Sequence, residues 1–216
     1  MPPELIVAEN IVGPAVALFL EARPRTLMLA GGQTPRPVYE RLAKEPFDWP
    51  SVDVFFDDER CVPFDDPDSN FRMANESLLS HVPARVHRMP GETCDAEAYE
   101  EDLRRFFAGG PPSFDFAFHG LGANGHTASL FPGDAALDER ERWVLKVPHP
   151  DHERLTLTLP VLSAVRVAVF LVSGEEKRGA LRRMMAGEDI PANRVKAGRI
   201  VVVADKAAAA GVERAA

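Results

Sequence analysis

Four short apolar runs in this chain each lead into residues able to bind or react. Run 26–30 leads into Gly31-Gly32-Gln33-Thr34-Pro35, and run 52–56 into Asp57-Asp58-Glu59-Arg60. Run 114–118, after His119, leads into Gly120-Leu121-Gly122-Ala123-Asn124-Gly125-His126, and run 165–172 into Ser173-Gly174-Glu175-Glu176-Lys177. Paired glycines ahead of a helical pattern (Val38, Tyr39, Leu42) let backbone N–H groups approach an anion closely, and Thr34 adds a hydroxyl; that set suits a phosphate. The plainer reading is a tight turn with Thr34 capping the helix. His126 titrates near neutrality and directly follows a glycine loop, as a general base that must reach a ligand should; otherwise it is a turn-capping histidine. Asp57, Asp58 and Glu59 beside Arg60 read as acid/base apparatus, an arginine-clamped scaffold or a metal site, or else as a solvated charge run. Arg72, Arg154 and Lys177 are the cations nearest these loops. Each alone reads as a surface charge, but together with a glycine loop they make an anion site.

Other chemistries are excluded by spacing. Residues 120–125 match G-x-G-x-x-G, but a dinucleotide site wants a following helix and an acid about 20 residues on. Trp143, Val144, Leu145 and Lys146 stand there instead, and Pro132 interrupts the helix. The 31–35 loop is not a Walker A loop, because no Gly-Lys-Ser/Thr follows it, and no G-x-S-x-G marks a serine nucleophile. His119, His149 and His152 lack the H-E-x-x-H spacing of a zinc helix, so no metal is expected.

These loops need elements to hold them. The runs, with a fifth at 200–203, are short and continuously apolar, the pattern of strands buried on both faces. Phe71, Ala74, Leu78 and Val82 follow helical spacing, as do Ala96, Tyr99, Leu103 and Phe106 after Asp95, a candidate N-cap. Residues 207–210 suggest a short terminal helix. Strand–helix alternation predicts an α/β fold, a parallel sheet covered by helices, with its ligand crevice at the strands' carboxyl ends. A chain of 216 residues, 45% hydrophobic, fits one domain over 1–216. A net charge of −8 argues against nucleic acid or an anionic membrane as partner, yet leaves room for a small anionic substrate held by local cations. No apolar run is long enough to span a bilayer, and the first residues lack a signal-peptide pattern. Two cysteines, Cys61 and Cys94, make no CxxC pair and no disulfide framework, so a reducing cytoplasm is the expected compartment.

The stretches LAGGQTP, DDERCVPFDDPDSNFR, GLGANGHTASLFPG, ERLTLTLPVL, SGEEKRGAL and VVVADKAA, in that order, resemble the 6-phosphogluconolactonase family along nearly the whole chain. The resemblance implies a single-domain, Rossmann-like, mostly parallel sheet with helices on both faces. It also implies hydrolysis of 6-phospho-D-glucono-1,5-lactone without a cofactor, by a monomer or small homo-oligomer. By position, Gly31, Gly32, Gln33 and Thr34 would cradle phosphate, with Arg154 and Lys177 completing the site. His126 would activate water beside Asn124 and Gly125, Arg72 would hold substrate or the oxyanion, and Asp58 and Glu59 would be the family's acidic pair. Two departures stand out: Asn124 replaces the usual aspartate of Asp-Gly-His, and His119 replaces an aliphatic residue. The related aldose–ketose isomerases carry a glutamate five residues after the histidine, where this chain has Phe131. A sugar-phosphate-binding regulator without catalysis is the rival that Asn124 favours.

Overall fold

All five apolar runs form strands in the computed structural model, which describes residues 3–212. In chain order the strands are β1 (Glu4–Ala8), β2 (Thr26–Leu29), β3 (Asp53–Phe56), β4 (Asp58–Arg60), β5 (Arg85–Val86), β6 (Phe114–Gly120), β7 (Val144–Val147), β8 (Arg154–Leu157), β9 (Val165–Val172) and β10 (Arg199–Asp205). The helices are α1 (Val12–Ala22), α2 (Arg36–Leu42), α3 (Asn70–Ser77), α4 (Ala96–Phe106), α5 (Leu159–Ser163), α6 (Arg178–Met185), α7 (Pro191–Arg194) and α8 (Lys206–Ala209).

Seven strands form a parallel sheet in the order β1-β10-β9-β6-β2-β3-β5. Leu27, Met28 and Leu29 are all fully buried. Successive strand side chains point to opposite faces, so both faces of β2 are covered. From β2 the chain builds outward through β3 to β5, then returns to the other side of β2 with β6 and builds outward again. The junction of β2 and β6 is thus a switch point, where the loops leaving two neighbouring strands diverge and open a crevice.

A second sheet, antiparallel β4-β8-β7, was not foreseen as a sheet. Its strands are short, and only the alternation from Leu155 to Leu159 hinted at it. Glu4–Ala8, although apolar from Leu5 to Ala8, and the two-residue Arg85–Val86 were also not foreseen as strands; both lie at the sheet's edges and neither contains a buried residue. Asp95 caps α4 by accepting from the Ala98 N–H at 2.9 Å, as its residue type implies. The periodicity through Leu78 and Val82 overruns α3: Leu78 turns to φ −141° and a 3₁₀ turn follows. Thr34 makes no cap bond to α2, whose flanking residue is Pro35.

Cys61 and Cys94 are joined in a disulfide, with Cα atoms 5.0 Å apart at a sequence separation of 33. This corrects the expectation drawn from cysteine count. Gly91 permits the approach: a Cβ there would lie 2.6 Å from the Arg60 carbonyl oxygen. No described helix is long and apolar enough to cross a membrane.

Candidate active site

The switch point opens into a cleft of about 270 Å³. Its walls come from the carboxyl ends of four parallel strands: Gly31, Gly32, Gln33 and Thr34 after β2, Asp57 and Asp58 after β3, Gly122 and His126 after β6, and Lys177 after β9. Arg60 and Arg154 enter from the small sheet and Asn70 from α3.

His126 is positioned by its own loop. The Gly125 N–H donates to the Gly122 carbonyl, and the Gly122 N–H to the His126 carbonyl, both at 2.8 Å. Gly125 sits at φ +92°, a conformation that favours glycine. The imidazole folds over Gly122, where a Cβ would meet Nδ1 at 2.1 Å, so only glycine fits under the ring. Asn124 Oδ1 accepts from both the His126 backbone N–H at 3.1 Å and ring Nδ1 at 2.7 Å. An amide oxygen can only accept, so Nδ1 carries the proton and Nε2 keeps its lone pair. Burial pushes His126 down to about 4; Asp58 opposes the shift, while Lys177, Arg154 and His149 add to it. The ring is therefore neutral at pH 7.

Asp58 is a fixed carboxylate. Oδ1 accepts from Asn70 Nδ2 at 2.7 Å and Oδ2 from the Ser129 hydroxyl at 2.5 Å. Asn70 in turn folds over Gly31, where a Cβ would overlap its amide at 1.9 Å. Glu59 does not line the cleft. Its carboxylate accepts from the backbone N–H groups of Arg60, Asn70 and Phe71 at 2.8, 2.7 and 2.7 Å, and from the Ser69 hydroxyl at 3.1 Å. Burial pushes its carboxyl up, opposed by those N–H donors at the start of α3. Glu59 is a scaffold residue, and the paired reading of Asp58 and Glu59 as one acidic site is corrected on that ground.

Arg72 also lies outside the cleft lining. It donates through Nε to Glu76 at 2.8 Å and through Nη1 to the Asp65 carbonyl at 2.9 Å, one helical turn along α3 and back to the preceding loop. The expectation that it holds substrate is corrected by this placement. Arg60 lines the cleft instead. It stands directly opposite Arg154 in the β4–β8 register, and both have a buried Nε without a hydrogen-bond partner. Arg154 Nη2 donates to Asp151 at 2.7 and 3.0 Å. Lys177 makes no ion pair within 4.0 Å among the described residues. Arg60 and Asn70 were missed as site residues, although both stand inside the DDERCVP–SNFR stretch. Asn124 and Gly125 shape the His126 loop from outside the cleft lining, and the described residues contain no cluster of three His, Cys, Asp or Glu able to hold a metal.

Phe131 lies half-buried between two imidazoles, with ring centroids 4.6 Å from His126 and 4.7 Å from His149. No carboxylate occupies that position.

A parallel sheet whose strand ends gather glycine loops and a neutral imidazole, with three cations from one strand end and the small sheet, defines an α/β enzyme for a small anionic substrate. More narrowly, the chain belongs to the glucosamine-6-phosphate isomerase/6-phosphogluconolactonase family, whose model matches residues 6–204. It is 43% identical over 176 residues to a Synechocystis 6-phosphogluconolactonase, covering 77% of this chain and 73% of that one. It is 36% identical over 196 residues to the Thermotoga maritima 6-phosphogluconolactonase, covering 86% of each. The crystal structure of 6-phosphogluconolactonase from Trypanosoma brucei is similar at a TM-score of 0.86 and 27% identity, over 98% of this chain and 99% of that one.

Proposed function

We propose that this chain hydrolyses 6-phospho-D-glucono-1,5-lactone to 6-phosphogluconate, the ring-opening step of the oxidative pentose phosphate pathway, with water activated by His126. The observation that carries the reading is the Asn124–His126 hydrogen bond, because it leaves Nε2 as an unprotonated base in a cleft rich in cations. The family match supports the substrate.

The substrate's phosphate is held by the Gly31–Thr34 backbone and by Lys177, Arg60 and Arg154, whose charges make bonds stronger than neutral ones. Asp151 now neutralises Arg154 and yields it to the phosphate. Held at that end, the lactone places its carbonyl carbon near Nε2, and fixing the reacting groups lowers the barrier. His126 Nε2 takes a proton from water as the water oxygen adds to the carbonyl carbon. Charge moves to the carbonyl oxygen, where the cleft's cations and backbone N–H groups stabilise it. The C1–ring-oxygen bond then breaks, and the imidazolium returns its proton to the leaving oxygen. Asp58, fixed by Asn70 and Ser129, favours the imidazolium that forms between the two steps. Phe131 in place of a glutamate favours this chemistry over isomerisation, which needs a further acid.

Turnover of freshly made lactone, followed by acid release, tests the reading. His126→Ala should lower kcat about 10²–10⁴-fold, the usual worth of a general base, while 6-phosphogluconate still binds. Near-normal kcat in that variant would remove His126 from the chemistry. Absence of turnover in the wild type, with 6-phosphogluconate still bound, would favour a sugar-phosphate-binding regulator.

A further inference from the structure

Phe56 of β3 lies beside Leu29 of β2, and Ala117 of β6 lies beside Met28. Continuing both registers past the last paired residues sets Asp57, Ala30 and His119 in one row, with Ala30 in the middle. Side chains of one row in a parallel sheet project to the same face, and strands lie roughly 4.8 Å apart, so the outer two residues are separated by about 10 Å of backbone. They meet because only a methyl group stands between them: His119 Nδ1 lies 3.1 Å from Asp57 Oδ2, with both side chains buried. The bond thus bridges over the end of β2 at Ala30, where the chain leaves the sheet to become the Gly31–Pro35 loop. The Ala30 carbonyl is held independently, accepting from the Tyr39 hydroxyl at 2.9 Å.

We propose that the Asp57–His119 hydrogen bond is a clamp across the root of the phosphate loop, making both of them positioning residues for substrate binding. The proposal rests on the reading of the Gly31–Thr34 loop as a phosphate site. The pair makes a poor stabiliser of the sheet, since Asp57 Oδ1 and His119 Nε2 are both buried without a partner. Each such atom loses its hydration without recompense, and well-packed apolar side chains in the same row would hold the strands better. What the pair adds is a fixed geometry between the strands that flank the loop. Burial, then the charge of Asp58, push the Asp57 carboxyl up, and burial pushes His119 down to about 4. At neutral pH His119 therefore enters the clamp as a neutral imidazole, so the two residues are joined by a hydrogen bond and not by an ion pair.

The test measures KM and kcat on phosphorylated and unphosphorylated gluconolactone for His119→Leu, Asp57→Asn, the double variant Asp57→Val/His119→Leu and Lys177→Ala. His119→Leu should raise KM for the phosphorylated lactone about 5–20-fold, as expected when one positioning bond is lost, with kcat within about twofold. The unphosphorylated substrate should be unaffected. Asp57→Asn keeps a hydrogen-bonding partner for Nδ1 in either tautomer and should restore a near-normal KM. The double variant removes both orphan atoms, so its thermal midpoint should equal or exceed that of the wild type while KM stays raised. A double variant that recovers both stability and KM would show the pair to be structural only, overturning the clamp. Lys177→Ala raising KM while His119→Leu does not would overturn the clamp alone. Lys177→Ala without effect would overturn the phosphate reading, and the clamp's role with it.

Discussion

Arg60 and Arg154 face each other on β4 and β8, whereas Arg72, a little further along the chain, is occupied by Glu76 and the Asp65 carbonyl. The residue type is the same, but Arg60 and Arg154 line the crevice and Arg72 does not, because their surroundings differ. On a helix, a glutamate one turn away supplies a partner before any ligand arrives. On adjacent strands, two like charges in register repel each other. Arg60 Nη1 finds only a backbone carbonyl, that of Asp68, at 2.5 Å, and Arg154 finds Asp151, whose side chain is half exposed. Under the proposed function, an anion entering the cleft would relieve that repulsion, and the small sheet would serve it as a cationic wall.

Breaking the wall should matter most where the guanidinium is most buried. Arg154→Ala should raise KM for the phosphorylated lactone about 10–100-fold, the loss of a buried charge-assisted contact, with kcat changed far less. Arg60→Ala should follow at about 10-fold, since Arg60 is less enclosed and Arg154 remains to hold the phosphate. Either variant losing equally on the unphosphorylated lactone would mark these cations as structural. Arg72→Ala should change neither constant by more than about twofold, because it removes only an exposed helix pair. A large KM effect there would reverse the contrast between helix and sheet.

The sequence made the strand ends legible because a strand buried on both faces leaves a continuous apolar run, and the polar residues just beyond it are conspicuous. His126, Asp58, the Gly31–Thr34 loop and Lys177 were visible in that way, Arg154 only as a cation opening an alternating stretch, and all of them line the cleft. The small sheet was not visible: Asp58–Arg60 is charged, and its pairing with Arg154–Leu157 depends on residues far apart in sequence. Without that register nothing distinguished Arg60 from Arg72, and the helical arginine was preferred. Glu59 was misread for a related reason. Its neighbour Asp58 points into the cleft, but alternation along β4 sends Glu59 the other way, to the N-terminus of α3. The disulfide escaped for want of any spatial cue linking Cys61 to Cys94.

The central claim is that Asn124 holds His126 as a neutral base. The most direct measurement is the pH dependence of kcat/KM for wild type and Asn124→Asp at matched ionic strength. Only the neutral ring can accept a proton, and burial holds His126 down to about 4, so wild-type kcat/KM should persist as pH falls and be lost only on passing through about that value. Aspartate at 124 would put a negative charge where Oδ1 now lies 2.7 Å from Nδ1, favouring the imidazolium. The acid limb should then move to higher pH by about 1 unit or more, with activity at alkaline pH changed less. An acid limb unmoved by Asn124→Asp, or a wild-type limb at the ordinary histidine value near ~6.5, would contradict the account.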